Sequence, residues 1–175
     1  PEIQANPALL NETLAIVILN SNAYAGTCYF GFTGMEEFAV GYCPMIDHIN
    51  SENFRRVLCH ECIGHGFTKL MDEYAYESQG TIPEAEIAAT KRQQKMGWAA
   101  NVDFTSNRET VLWKKFLADA RYKEKDPYGE ELGVYEGACT YYRGAYRPTK
   151  ESMMNSNING FNAPSREAVY KRVMK

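Results

Sequence analysis

The chain has 175 residues, 45% of them hydrophobic and 23% charged, with a net charge of −3 and a pI near 5.7. That composition fits a soluble globular domain with one core and leaves no electrostatic footprint for nucleic acid. No apolar run approaches the roughly 18 residues needed to span a membrane, and Lys91-Arg92-Gln93-Gln94-Lys95 reads as a solvated helix face.

Asn11-Glu12-Thr13 leads into Leu14–Leu19, a continuous apolar run rich in branched residues, which predicts a buried strand. Gly26–Gly31 and Glu37–Tyr42 predict two further short strands. Ser51 suits an N-cap and Glu52 the first turn after it. Phe54, Val57, Leu58 and Cys62 recur at helical spacing, so a helix is expected from about Glu52 to Gly64, with Gly64 and Gly66 suited to its end. Thr81-Ile82-Pro83-Glu84 has the form of a capping box with proline in the first turn and predicts a second helix, stopping near Gly97. Glu109–Arg121, with Trp113, Phe116 and Leu117, predicts a third, shorter one. Asp126-Pro127-Tyr128-Gly129 reads as a turn. Gly133–Gly160 is rich in Gly, Tyr and Asn and lacks a period, as loops that line sites often do. Pro164 opens a last helix, Ser165 to about Val173.

The chemistry concentrates in Cys59-His60-Glu61-Cys62-Ile63-Gly64-His65, which holds two of the chain's three histidines. The zinc-protease signature on a helix is H-E-x-x-H; this run is one residue longer. On an α-helix each residue turns about 100 degrees, so His60 and His65 would diverge by about 140 degrees. A π-bulge absorbs one extra residue, and Gly64 makes the distortion cheap, so the spacing is compatible with a metal if the helix bulges between Glu61 and His65. A catalytic zinc takes about three protein ligands and a water. Asp72 and Glu73 are the nearest candidates for the third ligand, and His48 is the remaining histidine. Glu61, beside a ligand, has the chemistry of a general base and acid toward a metal-activated water.

The same stretch also contains Cys59-x-x-Cys62, but a thioredoxin-like pair belongs at a helix start, and no second C-x-x-C completes a four-cysteine site; both cysteines read as packing residues. The five cysteines, Cys28, Cys43, Cys59, Cys62 and Cys139, cannot all pair within the chain. Cys28 and Cys43 can bridge, but spacing alone does not select them, and composition leaves the compartment open.

Three blocks in order carry a resemblance. His60–Tyr74 resembles the active-site helix of the IgA-specific metallopeptidases (igalysins), in their gut-bacterial branch. Tyr135-Glu136-Gly137-Ala138 and Tyr146-Arg147-Pro148 resemble a later loop of that family. Glu151-Ser152-Met153-Met154-Asn155, followed by Phe161–Glu167, resembles its Met-turn and closing helix. The resemblance runs from about Leu14 to the C-terminus. It implies an α+β, metzincin-like zinc peptidase fold: a twisted sheet over an active-site helix, then a C-terminal subdomain. It implies zinc held by His60 and His65, Glu61 as base, and Met154, with Met153 as alternative, as the apolar floor beneath the metal.

The chain departs from the metzincin pattern. Thr68 stands where a glycine is usual, and Met71 at the usual third-ligand position; Asp72, one further on, is the expected ligand and Glu73 the reserve. Ser156 stands where some metzincins have a tyrosine, so substrate-facing tyrosines are expected from Tyr141, Tyr142 or Tyr146, with Tyr142 and Tyr146 favoured. H-E-x-x-G-H also occurs in dipeptidyl peptidase III, a larger helical protein that fits the strand-rich start poorly. The expectation is therefore a single metallopeptidase domain, 1–175, short of an upstream segment, acting on protein or peptide as a secreted or cell-envelope zinc endopeptidase. The alternative is a non-catalytic, zinc-stabilised binding module on a peptidase scaffold; an intact Glu61 argues against it, because a structural zinc needs no base.

Overall fold

A computed structural model describes residues 13–33, 36–122 and 131–175. They form a mixed α and β structure that divides into two compact units, one ending at Lys69 and one beginning at Leu70. The Asn11-Glu12 lead-in and the Asp126–Gly129 turn lie outside the described residues. No described helix is long and apolar enough to cross a membrane.

In the first unit, β1 (Thr13–Leu19), β2 (Thr27–Thr33) and β3 (Glu36–Pro44) make one sheet in the order β1-β3-β2. β1 runs parallel to β3, from Thr13 opposite Phe38 to Leu19 opposite Pro44, and β2 runs antiparallel to it. All three strands lie close to where they were expected, at Leu14–Leu19, Gly26–Gly31 and Glu37–Tyr42. The burial expected of β1 does not hold: Ile16 is 48% and Ile18 50% exposed. The strand is at the sheet edge, so an apolar run of the kind that suits a strand covered on both faces has its last residues bare.

Helix α1 (Glu52–Leu58) starts where Ser51 Oγ accepts from Phe54 N at 3.0 Å and donates to Ile46 O at 2.5 Å. It packs through Phe54 and Val57 with Cys43, Ile46 and Cys62, and Leu14 of β1 reaches the same core. All five thiols are free, so the possible Cys28–Cys43 bridge is not made. Lys69 closes the unit in a left-handed conformation, φ 61°, a place where glycine is usual. Its buried ammonium pairs with Glu37 of β3 at 3.1 Å and donates to Gly66 O.

In the second unit, β4 (Ala75–Thr81), β5 (Tyr135–Ala138) and β6 (Thr140–Arg147) form a sheet in the order β4-β6-β5, with β4 and β6 parallel. Strands β5 and β6 fall inside the stretch expected to be loop. α2 (Glu84–Gln94) follows β4, but its N-cap is Pro83, without a side-chain cap bond. Thr81, expected to cap, is instead the last residue of β4. The third helix is shorter than expected: α3 spans Lys114–Ala118, and Ala120–Tyr122 adds a 3-10 turn. A four-residue helix, α4 (Met153–Ser156), is capped by Ser152, and α5 (Ala163–Val173) by Asn162 with proline in the first turn, close to where it was expected. Ile82, Ala99, Val102, Ala138, Cys139 and Ala145 form this unit's core. Trp113 is buried, its indole N–H donating to Gly133 O at 2.7 Å.

Candidate metal centre

α1 does not stop at Gly64. It continues as a π-helix over Cys59–Phe67, a longer distortion than the single bulge expected. Thr68 N closes it on Ile63 O at 3.0 Å, a five-residue reach. Bonds from i to i+5 widen each turn and bring residues five apart onto one face. His60 Nε2 and His65 Nε2 are accordingly 3.1 Å apart, with ring centroids 4.8 Å apart and planes at 73°. Two nitrogens bound at about 2.0–2.1 Å to a tetrahedral ion would be roughly 3.3–3.4 Å apart, so the rings are within tenths of an ångström of a ligating pair. Gly64 and Gly66 are buried inside the π-helix, not at its end. A Cβ on Gly66 would lie 2.5 Å from Leu14 Cδ1, so that glycine lets the helix lie against β1. Phe30 of β2 stacks on the His65 ring at 6.2 Å and 20°.

Asp72 joins the two histidines. One ligand atom from each of His60, His65 and Asp72 lies within 4.8 Å of the others, a group that could hold a metal ion. His60 is 5% and His65 9% exposed, and Asp72 is half-buried. Two imidazole nitrogens and a carboxylate oxygen are the donor types of borderline divalent metals.

The segment around Asp72 is fixed from several sides within the second unit. Asn101 grips Met71 like a paired strand, accepting from Met71 N at 3.0 Å and donating to Met71 O at 2.8 Å. Asp72 O accepts from Cys139 N at 2.8 Å, and Tyr74 O from Thr140 N at 3.1 Å. Glu73 N donates to Met154 O at 2.7 Å. Cys139 and Thr140 are the two-residue turn between the paired residues Ala138 and Tyr141, and both have positive φ, 54° and 67°. A β-branched residue there is strained, and the strained turn is the one that presents two amide protons to the Asp72–Tyr74 backbone. The Tyr74 hydroxyl bonds to the Asp72 carboxylate. Burial, and then the negative charge of Asp72, push the Tyr74 phenol well above its usual range, so it keeps its proton and donates it. A donor of that kind orients a carboxylate toward a metal.

Glu73, the reserve ligand, is committed elsewhere. It is fully buried. Its Oε1 accepts from Asn101 Nδ2 at 2.8 Å and Asn162 Nδ2 at 3.0 Å. Its Oε2 accepts from Ser152 Oγ at 2.7 Å and Asn162 Nδ2 at 2.8 Å. Burial raises its pKa, against these hydrogen bonds and the charge of Arg147. Ser152 and Asn162 are also the caps of α4 and α5, so one carboxylate ties both helix starts to the Asp72 segment. His48 is an exposed loop residue whose Nδ1 accepts from Asn50 N at 3.3 Å.

Glu61 is 7% exposed and lies against Gly26, just before β2. A Cβ at position 26 would stand 2.6 Å from Glu61 Cγ and 2.6 Å from its Oε1. The remaining expected residues belong to the second unit: Met154 is fully buried in α4 beside buried Met153, Tyr142 is 46% exposed on β6, and half-buried Tyr146 bridges Asp103 through its backbone. Sequence reasoning missed Tyr74, Gly26, Asn101 and Asn162. Tyr74 ends the histidine motif and its place beside Asp72-Glu73 was a usable signal; Gly26 offered none. Compared with models of known protein families and with curated proteins, the chain matches none.

Proposed function

We propose that the chain is a zinc-dependent endopeptidase. The observation that carries the reading is the group His60, His65 and Asp72, with a buried carboxylate, Glu61, adjacent to the first histidine. Two imidazoles and one carboxylate are a catalytic zinc donor set, which leaves a fourth position for water or substrate. Zinc held there supplies a Lewis acid for the scissile carbonyl and makes water acidic enough to attack near neutral pH.

The chain's own residues do the rest. A Glu61 carboxylate oxygen takes the proton from the attacking water and passes it to the leaving nitrogen. Gly26 leaves room for that carboxylate. Tyr74 holds Asp72 in the orientation its ligand role needs. An extended substrate pairs its main chain with the edge of β2, which begins beside Gly26 and therefore beside the base. Tyr142 and Tyr146 meet substrate side chains, and Met154 is the floor of the metal site. The igalysin resemblance supports peptide bonds as the substrate and a secreted or cell-envelope setting. A non-catalytic binding module would have no use for Glu61.

Purified protein should carry about one zinc per chain, and chelation should abolish cleavage of a mixed peptide library. Glu61→Ala should keep its zinc and lose cleavage by roughly 100-fold or more. A Glu61→Ala variant that cleaves as well as the parent removes Glu61 as the base, and a zinc-loaded parent that leaves the library uncut favours the binding module.

A further inference from the structure

Gly41 and Cys43 are two apart on β3, and Cys28 stands opposite Gly41 in the β2–β3 ladder. All three therefore present to one face of the sheet. The π-helix packs on that face: a Cβ at Gly41 would lie 3.0 Å from Cys62 Sγ. The absence of a side chain at 41 lets Cys62 reach past it to Cys43, and the two sulfurs are 3.5 Å apart and buried. A disulfide needs about 2.05 Å, so the sulfurs need close by only about 1.5 Å, a matter of side-chain torsion and small local shifts. The other pair that spacing allows is worse placed. Cys28 and Cys43 are diagonal in the ladder, where backbones are about 7–8 Å apart, beyond the usual disulfide span of roughly 4.4–6.8 Å.

We propose that Cys43 and Cys62 are a disulfide-forming pair that cross-links β3 to the helix carrying His60 and His65, with a small disulfide of the glutathione-disulfide class as oxidant. One cysteine thiolate attacks a sulfur of the oxidant, breaking its S–S bond and releasing one thiol. The second cysteine thiolate attacks the protein sulfur of the mixed disulfide, forming the Cys43–Cys62 bond and releasing the second thiol. The cysteine protons end on the two released thiols, and the electron pair from the cysteines reduces the oxidant. Because both sulfurs are buried in the finished fold, closure occurs while the chain folds, before β3 and the helix exclude the oxidant. The proposal is independent of the metal and of peptidase activity.

The reduced, unfolded chain is refolded in reduced and oxidised glutathione, its remaining thiols are blocked with iodoacetamide, and its peptides are mapped by mass spectrometry. The expected product has Cys28, Cys59 and Cys139 alkylated and one peptide pair joined through Cys43 and Cys62. Its Tm should exceed that of the reduced protein by roughly 5–10 °C. Cys28→Ala should leave the cross-link and the shift intact, and Cys43→Ala should abolish both. Alkylation of all five cysteines in refolded protein, or a bridge joining any other pair, overturns the proposal. The mapping is done on the parent chain, so its outcome does not depend on any variant folding.

Discussion

The clusters around Glu73 and around His60 and His65 are both buried and polar, and they differ in what completes them. At Glu73 each carboxylate oxygen meets neutral donors from the chain itself: Asn101, Ser152 and Asn162. At the histidines, ring nitrogen faces ring nitrogen at 3.1 Å with the Asp72 carboxylate nearby. The first set is complementary as it stands. The second sets two imidazole nitrogens beside a carboxylate, donor types that one divalent cation can take together. Burial and charge do not tell the two clusters apart; the character of the neighbours does.

Substituting the two adjacent carboxylates tests this contrast most directly. Glu73→Ala strands three donor side chains and opens a hole, so metal-free protein should lose roughly 3–5 kcal/mol in urea unfolding. Asp72→Ala should change metal-free stability little and lower zinc affinity by more than the roughly 10–100-fold typical of a supporting residue. If the effects exchange places, Glu73 is the ligand and the contrast is wrong; equal, negligible effects on zinc titration would move the search to His48.

Tyr74→Phe sharpens the contrast by removing the hydroxyl that donates to Asp72 and also bonds with Tyr76. Zinc affinity should fall by about 10-fold with little change in Tm, and unchanged affinity would show that the backbone alone orients the aspartate. Thr140→Gly should raise stability by up to about 1 kcal/mol, because glycine relieves a β-branched residue at φ 67°. A loss of stability there would mean that the threonine side chain matters more than the strain.

The smallest effect lies away from both clusters. Partial burial would raise the Glu167 carboxyl, but Lys115 and Lys171 outweigh it and hold its pKa below the ordinary 4.5. Its stabilisation is thus present above that value and is lost as pH falls through the depressed pKa. Both lysine partners are exposed, so water screens the pairs, Glu167→Gln should cost less than about 1 kcal/mol at pH 7, and the gap should close well below pH 4.5. A gap that persists in acid would assign the effect to packing.

The group His60, His65 and Asp72 was legible because ligand chemistry restricts residue type. His60 and His65 forced the question of helix winding, and a wider helix was the only winding that joined them. The first sheet was legible from its continuous apolar run, Leu14–Leu19, and two short strand-forming segments after it. The second sheet was not, and its hairpin shows why. A two-residue turn with two positive φ values is normally announced by Asn-Gly or Asp-Gly; here it is Cys139-Thr140, held by partners distant in sequence. β4, written Ala75-Tyr-Glu-Ser-Gln-Gly-Thr81, is mostly exposed and polar, so it lacks the pattern that marks a strand. The role of Glu73 was hidden for the same reason, since its donors come from positions 101, 152 and 162.

Gly26 has no side chain to donate, accept or ligate, yet a single carbon there would collide with the carboxylate of Glu61. On the proposed peptidase reading, position 26 therefore constrains the placement of the base from outside the histidine motif. Among diverging copies of such a gene, a chain could keep His60, Glu61, His65 and Asp72 and still be silenced by one alanine at this distant position. On that reading, sorting active copies from decoys would require reading the residue that faces Glu61 as well as Glu61 itself.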